Sequence, residues 1–272
     1  MNSIKTYKKM KKDGERIVML TAYDYPSAKY TEAAGIDIIL VGDSLGMVVQ
    51  GYHDTLQVTM DDMIYHTRAT RRGAPDSFIV GDMPFMSYHV NRTETIKNAA
   101  RFITEGGANA VKLEGGTPSR IEMIKAIRNC EIPIVAHLGL TPQSIHALGG
   151  YAIQGKSKKD FKILKEQALA VQNAGAFMLV LEGIPEQLGK EISEMLTIPT
   201  IGIGAGRYTD GQVLVYHDIL GMSDIEPKFL KVYSRLSENI TNSIKEFYDD
   251  VKKGNFPAVE HIYKPISNDI IK

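Results

Sequence analysis

The sequence lacks several features that would assign it to other classes of protein. Its 272 residues contain one cysteine, Cys130, which excludes an intramolecular disulfide or a cysteine cluster for zinc and favours a reducing compartment. Lysine plus arginine and aspartate plus glutamate number 32 each, so no net charge attracts the chain to nucleic acid or anionic lipid. No apolar run approaches the roughly 20 residues of a membrane span, and the basic start MNSIKTYKKMKKDGE lacks the apolar segment of a signal peptide. We therefore expect a cytoplasmic protein without nucleic-acid or membrane partners.

What the sequence does contain is a set of short apolar runs that end in acids. One run stops at Gly-Asp-Ser, which places Asp43 and Ser44 directly after it, and three others end at Asp82, Glu114 and Glu182. Short apolar runs bounded by glycine are typical of strands buried on both faces of a parallel sheet. Parallel α/β folds place their chemistry at the carboxyl ends of the strands. We therefore expect these side chains to converge on one site.

The alternation of such runs with helical patterns favours a (β/α)8 TIM barrel over an open, doubly wound sheet. The predicted strands begin at residue 17 and span 36–41, 78–80, 110–113, 134–136, 177–181, 200–203 and 212–216. A length of 272 residues is close to the ~250 of single barrels, and no linker divides the chain. The prediction is one domain over residues 1–272, with a C-terminal helix and tail.

Three connections carry more specific predictions. The pattern VVQGYHDTLQV over residues 48–58 predicts a small β-hairpin with His53 and Asp54 at its turn. Thr59 and Asp62 form a capping box that begins the next helix. Residues 138–159 show no apolar period and predict a long loop, of the kind that serves as a functional lid. The last helix is predicted to begin at about residue 228.

The chemistry of the acids points to a divalent cation. A single acid after a strand is commonly a helix cap or a turn residue, but several acids at one barrel mouth favour a metal. Carboxylates without an accompanying His–Cys set suit Mg²⁺ or Mn²⁺ better than Zn²⁺.

Lys112 and Glu114 lie two apart on one strand, so both face the barrel interior while Val111 and Leu113 face the helices. An interior lysine could pair with an acid, form a Schiff base or bind a substrate carboxylate. Beside so many acids, the charged binding role is favoured.

Other residues leave two interpretations open. His137 either lines the site or is a histidine satisfied within the core. Gly202, Gly204 and Gly206 do not have the G-x-G-x-x-G spacing, so we reject a dinucleotide fingerprint. Their turn either lets the backbone approach a ligand or is simply tight. Cys130, between a helix and a strand, is interpreted as a packing residue rather than a nucleophile.

Eight segments follow one another along the chain: VGDSLGMVVQGY, VTMDDMIYHTRATRRG, GDMPFMSY, AVKLEGG, AHLGLTPQS, GGYAIQGK, IGIGAG and DGQVLVYHDILG. In this order they resemble the signature blocks of the 3-methyl-2-oxobutanoate hydroxymethyltransferase (ketopantoate hydroxymethyltransferase) family. The resemblance implies a barrel similar to that of phosphoenolpyruvate mutase and isocitrate lyase, which binds Mg²⁺ and assembles as a homodecamer of two pentameric rings. It also implies hydroxymethyl transfer from 5,10-methylenetetrahydrofolate to 3-methyl-2-oxobutanoate, giving 2-dehydropantoate for pantothenate biosynthesis.

The resemblance also implies roles for individual residues. The metal site would be Asp43, Asp82 and Glu114; the keto acid would be held by Asp43, Ser44, Asp82 and Lys112; and Glu182 would accept a proton. An α-keto acid can chelate Mg²⁺, and metal and lysine together would stabilise the enolate that forms when a base removes the C3 proton.

Two rival functions are weighed against this one. A carbon–carbon lyase of the phosphoenolpyruvate mutase and isocitrate lyase type would share the metal-bound enolate, but needs a cysteine or comparable group on a mobile loop. Cys130 is predicted at the end of the barrel opposite the acids. A non-catalytic, ring-forming barrel that binds ligand would have no reason to retain the acids, Lys112 and the lid.

Overall fold

The computed structural model describes residues 2–264. Eight parallel strands pair in chain order, and β8 pairs with β1, so the sheet closes into a barrel. The strands are β1 Ile17–Thr21, β2 Ile38–Val41, β3 Phe78–Asp82, β4 Ala110–Glu114, β5 Ile134–Gly139, β6 Met178–Glu182, β7 Thr200–Ile203 and β8 Gly211–Leu214. The prediction of a (β/α)8 TIM barrel is confirmed.

Helices fill the connections between most of the strands. They are α1 Ile4–Asp13, α2 Tyr25–Ala33, α3 Leu45–Val48, α4 Met60–Gly73, α5 Arg92–Thr104, α6 Pro118–Arg128, α7 Ile145–Leu148, α8 Lys158–Ala174, α9 Glu186–Met195, α10 Tyr216–Ile219 and α11 Leu236–Lys253, with 3-10 turns at Pro142–Ser144 and Val259–His261. The predicted capping box of α4 is confirmed, since Thr59 Oγ1 accepts from the Asp62 amide and Asp62 Oδ2 accepts from the Thr59 amide. Among residues 2–264, no helix is long and apolar enough to cross a membrane.

Alternation along the strands separates two apolar layers. On β3, Phe78 and Val80 belong to the cluster inside the barrel, whereas Ile79 belongs to the layer between strands and helices. Asp82 continues the inward series. On β4 the same parity turns Lys112 and Glu114 inward, because Val111 and Leu113 pack in the outer layer. The predicted facing of Lys112 and Glu114 is confirmed.

The predicted hairpin over residues 48–58 is wrong. The chain instead forms the short helix α3 directly after Ser44, followed by an irregular loop. Within residues 48–58 only Thr55 and Val58 are buried, three positions apart, so the segment has no alternating buried face to pair. A Cβ on Gly46 would lie 2.5 Å from Val58 Cγ2, and this close approach requires glycine.

Two predicted boundaries also change. β5 runs through Gly139, and the first part of the predicted loop 138–159 folds into the 3-10 turn and α7. The last helix begins at Leu236 rather than near residue 228. Before Leu236 the backbone amides do not form a helical ladder. The Leu230 amide donates to the Pro227 carbonyl, and the Tyr233 amide donates to the Ile219 carbonyl. The Leu236 amide donates to the Leu220 carbonyl.

The interpretation of Cys130 as a packing residue is wrong, because the side chain is exposed. It lies between the end of α6 and the start of β5, where the backbone turns through Glu131 at a φ of 64°. Cys130 therefore lies at the amino end of β5, as predicted, whereas the acids lie at the carboxyl ends of their strands.

The described residues divide into two compact units. One comprises the chain up to Tyr216 together with Glu226–Leu230, and it contains all eight strands. The other comprises His217–Ile225 and the chain from Lys231 onward; its main element, α11, contains no buried residue. The single domain over residues 1–272 stays a prediction, and part of its predicted tail, residues 265–272, lies outside the described residues.

Candidate active site

Five consecutive strands deliver polar side chains to the carboxyl end of the barrel. The contributing residues are Asp43 after β2, Asp82 on β3, Lys112 and Glu114 on β4, His137 on β5 and Glu182 on β6. The strand register makes Asp82 the neighbour of Lys112, and Glu114 the neighbour of His137. We call these six residues the acidic cluster. The predicted convergence of the four acids is therefore confirmed.

Lys112 and Asp82 form the centre of the cluster. The Lys112 Nζ lies 2.6 and 2.5 Å from the two carboxylate oxygens of Asp82, and both side chains are buried. Burial opposes the charged lysine, but the surrounding carboxylates outweigh it and raise the pKa of Lys112. Burial also raises the pKa of Asp82, more than Lys112 lowers it. Of the roles left open for Lys112, the structure shows the ion pair.

Asp43 lies beside this pair because the chain turns immediately after β2. Its amide donates to Asp82 Oδ2 at 3.4 Å, and its Oδ2 accepts from Gln143 Nε2 at 2.8 Å. Burial, followed by repulsion from Asp82, raises the pKa of Asp43 well above its usual range. The neighbouring Ser44 hydroxyl lies 2.8 Å from the hydroxyl of Tyr23.

His137 lies between two carboxylates and therefore belongs to the site. Its Nδ1 is 3.3 Å from Glu114 Oε1, and its Nε2 is 3.3 Å from Glu182 Oε2. Burial opposes the charged imidazole, but the two carboxylates outweigh it and raise the pKa of His137 to about 9. Burial raises the pKa of Glu114, but the contact with His137 and the other cationic and hydrogen-bonding neighbours outweigh it, so the pKa of Glu114 is lowered. Glu182 is the more open of the two acids, with 17% of its side chain exposed against 3% for Glu114.

Two residues of the site were not singled out from the sequence. Gln143, in the 3-10 turn after β5, donates its backbone amide to Glu114 Oε2 at 3.1 Å. Tyr88, in the segment after β3, donates its hydroxyl to Gln143 Oε1 at 2.5 Å. Both residues lie within the family-like blocks TPQS and GDMPFMSY. Their position directly after two barrel strands is the signal that could have identified them.

The glycine turn after β7 is tight. Gly204 and Gly206 have φ values of 60° and 82°, and a Cβ on them would lie 2.8 Å from Phe229 and 2.4 Å from Glu186. The close packing accounts for these two glycines without a ligand.

The chemistry of the cluster fits a hard divalent cation. Its four carboxyl groups are set against two basic side chains, Lys112 and His137, so the acids outnumber the bases by two. Glu114 Oε1 is buried and accepts no well-formed hydrogen bond from the described residues. Asp43, Asp82 and Glu114 offer the oxygen ligands that Mg²⁺ prefers. Within residues 2–264, no three His, Cys, Asp or Glu side chains are already arranged to hold a metal; both oxygens of Asp82 contact Lys112 instead.

The comparison with known families decides the identity of this barrel. Residues 1–259 match the family model described as ketopantoate hydroxymethyltransferase. The chain belongs to the ketopantoate hydroxymethyltransferase family. It is therefore a transferase enzyme, as the sequence blocks indicated.

Individual relatives agree with the family assignment. The 3-methyl-2-oxobutanoate hydroxymethyltransferase of Geobacillus sp. (strain WCH70) is 56% identical over 256 residues, 94% of this chain and 91% of the relative. The protein of the same name from Clostridium botulinum (strain Langeland / NCTC 10281 / Type F) is 52% identical over 271 residues, 99% and 98% of the two chains.

Solved structures of similar fold are more distant in sequence. Phosphoenolpyruvate phosphomutase from Streptomyces platensis subsp. rosaceus superposes with a TM-score of 0.63 at 15% identity, covering 97% of this chain and 92% of that one. A phosphonopyruvate hydrolase complex with oxalate and Mg²⁺ gives 0.62 at 12% identity, covering 96% and 93%. This likeness shows that the chain shares its barrel fold with these two proteins, as predicted.

Proposed function

We propose that the acidic cluster transfers a hydroxymethyl group from 5,10-methylenetetrahydrofolate to 3-methyl-2-oxobutanoate, forming 2-dehydropantoate in the first step of pantoate formation for pantothenate biosynthesis. In this reaction C3 of the keto acid loses its proton and bonds to the methylene carbon of the folate. Water supplies the new hydroxyl group, and tetrahydrofolate leaves. The observation that carries the proposal is the juxtaposition of buried carboxylates and Lys112 with the more open Glu182.

The buried part of the cluster is the proposed site for the metal and the keto acid. Asp43, Asp82 and Glu114 would hold Mg²⁺, which when bound supplies a Lewis acid that polarises the keto oxygen. Asp43, Ser44, Asp82 and Lys112 are the proposed residues for the keto acid. Lys112 brings a permanent positive charge to a place that is 4% exposed, where charge is poorly screened and acts strongly. The oxalate and Mg²⁺ of the phosphonopyruvate hydrolase complex support this choice, since oxalate, like an α-keto acid, carries a carboxylate beside a second oxygen-bearing carbon.

The more open part of the cluster is the proposed base. Glu182 ends β6 and is outside the proposed metal set, so its carboxylate is available to accept the C3 proton. The Nε2 of His137 lies 3.3 Å from Glu182 Oε2. The imidazole is protonated at neutral pH because its pKa is raised to about 9, and it therefore orients the Glu182 carboxylate by charge.

Folate, assembly and location rest on the family alone. The folate would enter over the carboxyl end of the barrel, near residues 138–159 and the glycine turn. Tyr151 and Ile153 of that segment are more than half exposed, and could contact a flat ring system. The homodecamer, the single domain and the cytoplasmic location are proposals of the same kind.

The test of this function is product formation by the purified protein. We expect NMR to show 2-dehydropantoate when Mg²⁺, 3-methyl-2-oxobutanoate and 5,10-methylenetetrahydrofolate are all present. Removal of Mg²⁺ by a chelator should stop the reaction. Isothermal titration should show weaker keto-acid binding after chelation, and Asp43→Ala and Asp82→Ala should each abolish the metal-dependent part while the barrel still folds. Equal keto-acid affinity with and without metal would contradict the chelation model.

The position of Cys130 does not support the lyase alternative. Cys130 is exposed and precedes β5, whereas the acids follow or end their strands. A cysteine at the amino end of the barrel cannot reach a substrate held at the carboxyl end.

A further inference from the structure

Gln143 bonds to four groups of the site, three through its buried side chain and one through its backbone amide. Its Nε2 donates to Asp43 Oδ2 at 2.8 Å and to the carbonyl of Met83 at 2.9 Å. Its Oε1 accepts from the Tyr88 hydroxyl, and its backbone amide donates to Glu114 Oε2 at 3.1 Å. Gln143, which follows β5, therefore links the segments after β2 and β3 to the end of β4.

We infer, on the basis of the proposed function, that Gln143 is a positioning residue that orients the Asp43 and Glu114 carboxylates for the divalent cation. Gln143 fixes one oxygen of each carboxylate, Oδ2 of Asp43 and Oε2 of Glu114. The second oxygen of Glu114 is the buried atom that accepts no well-formed hydrogen bond from the described residues. The constraint therefore fixes the direction in which the ligand oxygens point, which is how outer hydrogen bonds prepare a metal site.

The chemistry of the contacts requires an amide. A primary amide donates two hydrogen bonds and accepts others in one rigid plane. Both Asp43 and the Met83 carbonyl need donors, whereas the Tyr88 hydroxyl needs an acceptor. A carboxylate at position 143 could not donate, and an apolar side chain could do neither. Since Gln143 is 4% exposed, water cannot readily replace the missing bonds.

Tyr88 fixes the orientation of the amide. Its hydroxyl accepts from the Glu114 amide at 3.2 Å while it donates to Gln143. The His89 ring lies 4.3 Å from the Tyr88 ring, and the Arg120 guanidinium lies 5.2 Å from its centroid. These contacts hold the ring and therefore its hydroxyl in one position. Tyr88 and Gln143 are thus expected to act together on the carboxylates.

The test measures Mn²⁺ binding to the complete protein by electron paramagnetic resonance, without substrates, together with transfer activity. Gln143→Met keeps the length of the side chain but removes its hydrogen bonds to Asp43, Met83 and Tyr88, whereas the backbone bond to Glu114 remains. We expect it to weaken Mn²⁺ binding by about 10–100-fold, as removal of outer-shell partners typically does. The matched control for Mn²⁺ binding is Gln154→Met on the same connection, because the Gln154 Nε2 donates only to the Ala152 carbonyl among the described contacts.

A second variant keeps the test decisive if Gln143→Met fails to fold. Tyr88→Phe removes one hydroxyl and should weaken Mn²⁺ binding by a smaller factor. In a folded double variant, Tyr88→Phe should add little to the effect of Gln143→Met, because the two residues act as a unit. Folding is checked by circular dichroism, so a loss of binding is scored only for protein that is folded at the assay temperature.

The outcomes separate the inference from the proposed function. Wild-type protein that neither binds Mn²⁺ nor transfers the hydroxymethyl group would overturn the proposed function and, with it, the inference. Wild-type protein that does both, alongside folded Gln143→Met and Tyr88→Phe variants that bind Mn²⁺ as tightly as Gln154→Met, would overturn the inference alone.

Discussion

The two ends of the barrel interior are built from the same strands but carry opposite chemistry. At the amino end, α1 covers the opening, and Tyr7 is fully buried with its ring 5.3 Å from Phe78 in an edge-to-face contact. Phe78 contacts Phe177 in the same way at 6.0 Å. At the carboxyl end, the inward positions are occupied by charged groups, including Asp82 and Glu182. The change occurs within single strands, since Phe78 and Asp82 both belong to β3.

Stability and function are therefore located at opposite ends of the barrel interior. Burial of aromatic side chains is favourable at the amino end, whereas the excess of buried carboxylates at the other end is unfavourable unless a cation neutralises it. A ligand can supply that compensation, but only at the end where the charges are.

The largest effect is expected for Asp82→Asn. The substitution removes a proposed metal ligand, worth several kcal/mol to a Lewis-acid mechanism, and leaves Lys112 without its bidentate partner. We expect transfer to fall by at least about 10⁴-fold, which corresponds to more than about 5 kcal/mol. Steady-state kinetics with saturating Mg²⁺ measures it. Transfer within about tenfold of wild type would show that Asp82 is not part of the reacting site.

The matched change at the other end of β3 is Phe78→Ala. We expect a loss of about 3–5 kcal/mol in the free energy of unfolding, because a large core side chain leaves a cavity. The transfer rate per folded molecule should stay close to that of wild type. Urea denaturation and kinetics on the same sample check both statements. A large change in that rate would break the separation between the two ends.

A third prediction concerns pH. The pKa of His137 is raised to about 9 in the folded protein, whereas an unperturbed histidine titrates near pH 6.5. Its charged form therefore contributes stability that is fully present below about pH 6.5. That contribution is lost as the pH rises through about 9. The groups facing it are Glu114, Glu182 and Lys112.

The measurement is the free energy of unfolding of wild type and His137→Gln in a chelating buffer between pH 6 and 9.5. We expect the advantage of wild type to shrink over this range by an amount on the order of 1–3 kcal/mol. A constant difference between the two proteins would contradict a charged His137 at neutral pH.

The smallest effect is expected for Tyr7→Phe. The Tyr7 hydroxyl donates to the Asp37 carbonyl at 2.8 Å, and its loss should lower the free energy of unfolding by about 0.5–1.5 kcal/mol. Metal binding should not change. If Tyr7→Phe altered Mn²⁺ affinity, the amino end would have to be counted as part of the site.

Much of the barrel could be predicted because strand parity is a local property. The inward facing of Lys112 and Glu114 follows from the apolar residues beside them, and the capping box of α4 follows from two side chains. Asp43 is different. Alternation from Ile39 and Val41, which face the helices, would send Asp43 outward, and only the turn after β2 brings it into the cluster.

The contacts between distant segments could not be predicted in this way. Gln143 and Asp43 are 100 residues apart in the chain, and no spacing rule relates them. The hairpin prediction failed for a similar reason, because the close packing of Gly46 against Val58 decides the path of that loop. Local patterns determine which face a side chain occupies, whereas long-range packing determines its partner.

The most direct test of the central claim is hydrogen exchange at C3 of 3-methyl-2-oxobutanoate in D₂O. Enolisation needs no folate, so wild-type protein with Mg²⁺ should exchange this hydrogen, and NMR should show the signal disappear. Glu182→Gln keeps the size of the side chain but cannot accept a proton, and should slow the exchange by about 10²–10⁴-fold. Glu186→Gln is the matched control. Glu186 begins α9, and its carboxylate pairs with Arg207 rather than with a residue of the acidic cluster. The predicted result is exchange at similar rates in wild type and Glu186→Gln and exchange slower by this factor in Glu182→Gln; exchange by Glu182→Gln at the wild-type rate would contradict the proposed role of Glu182.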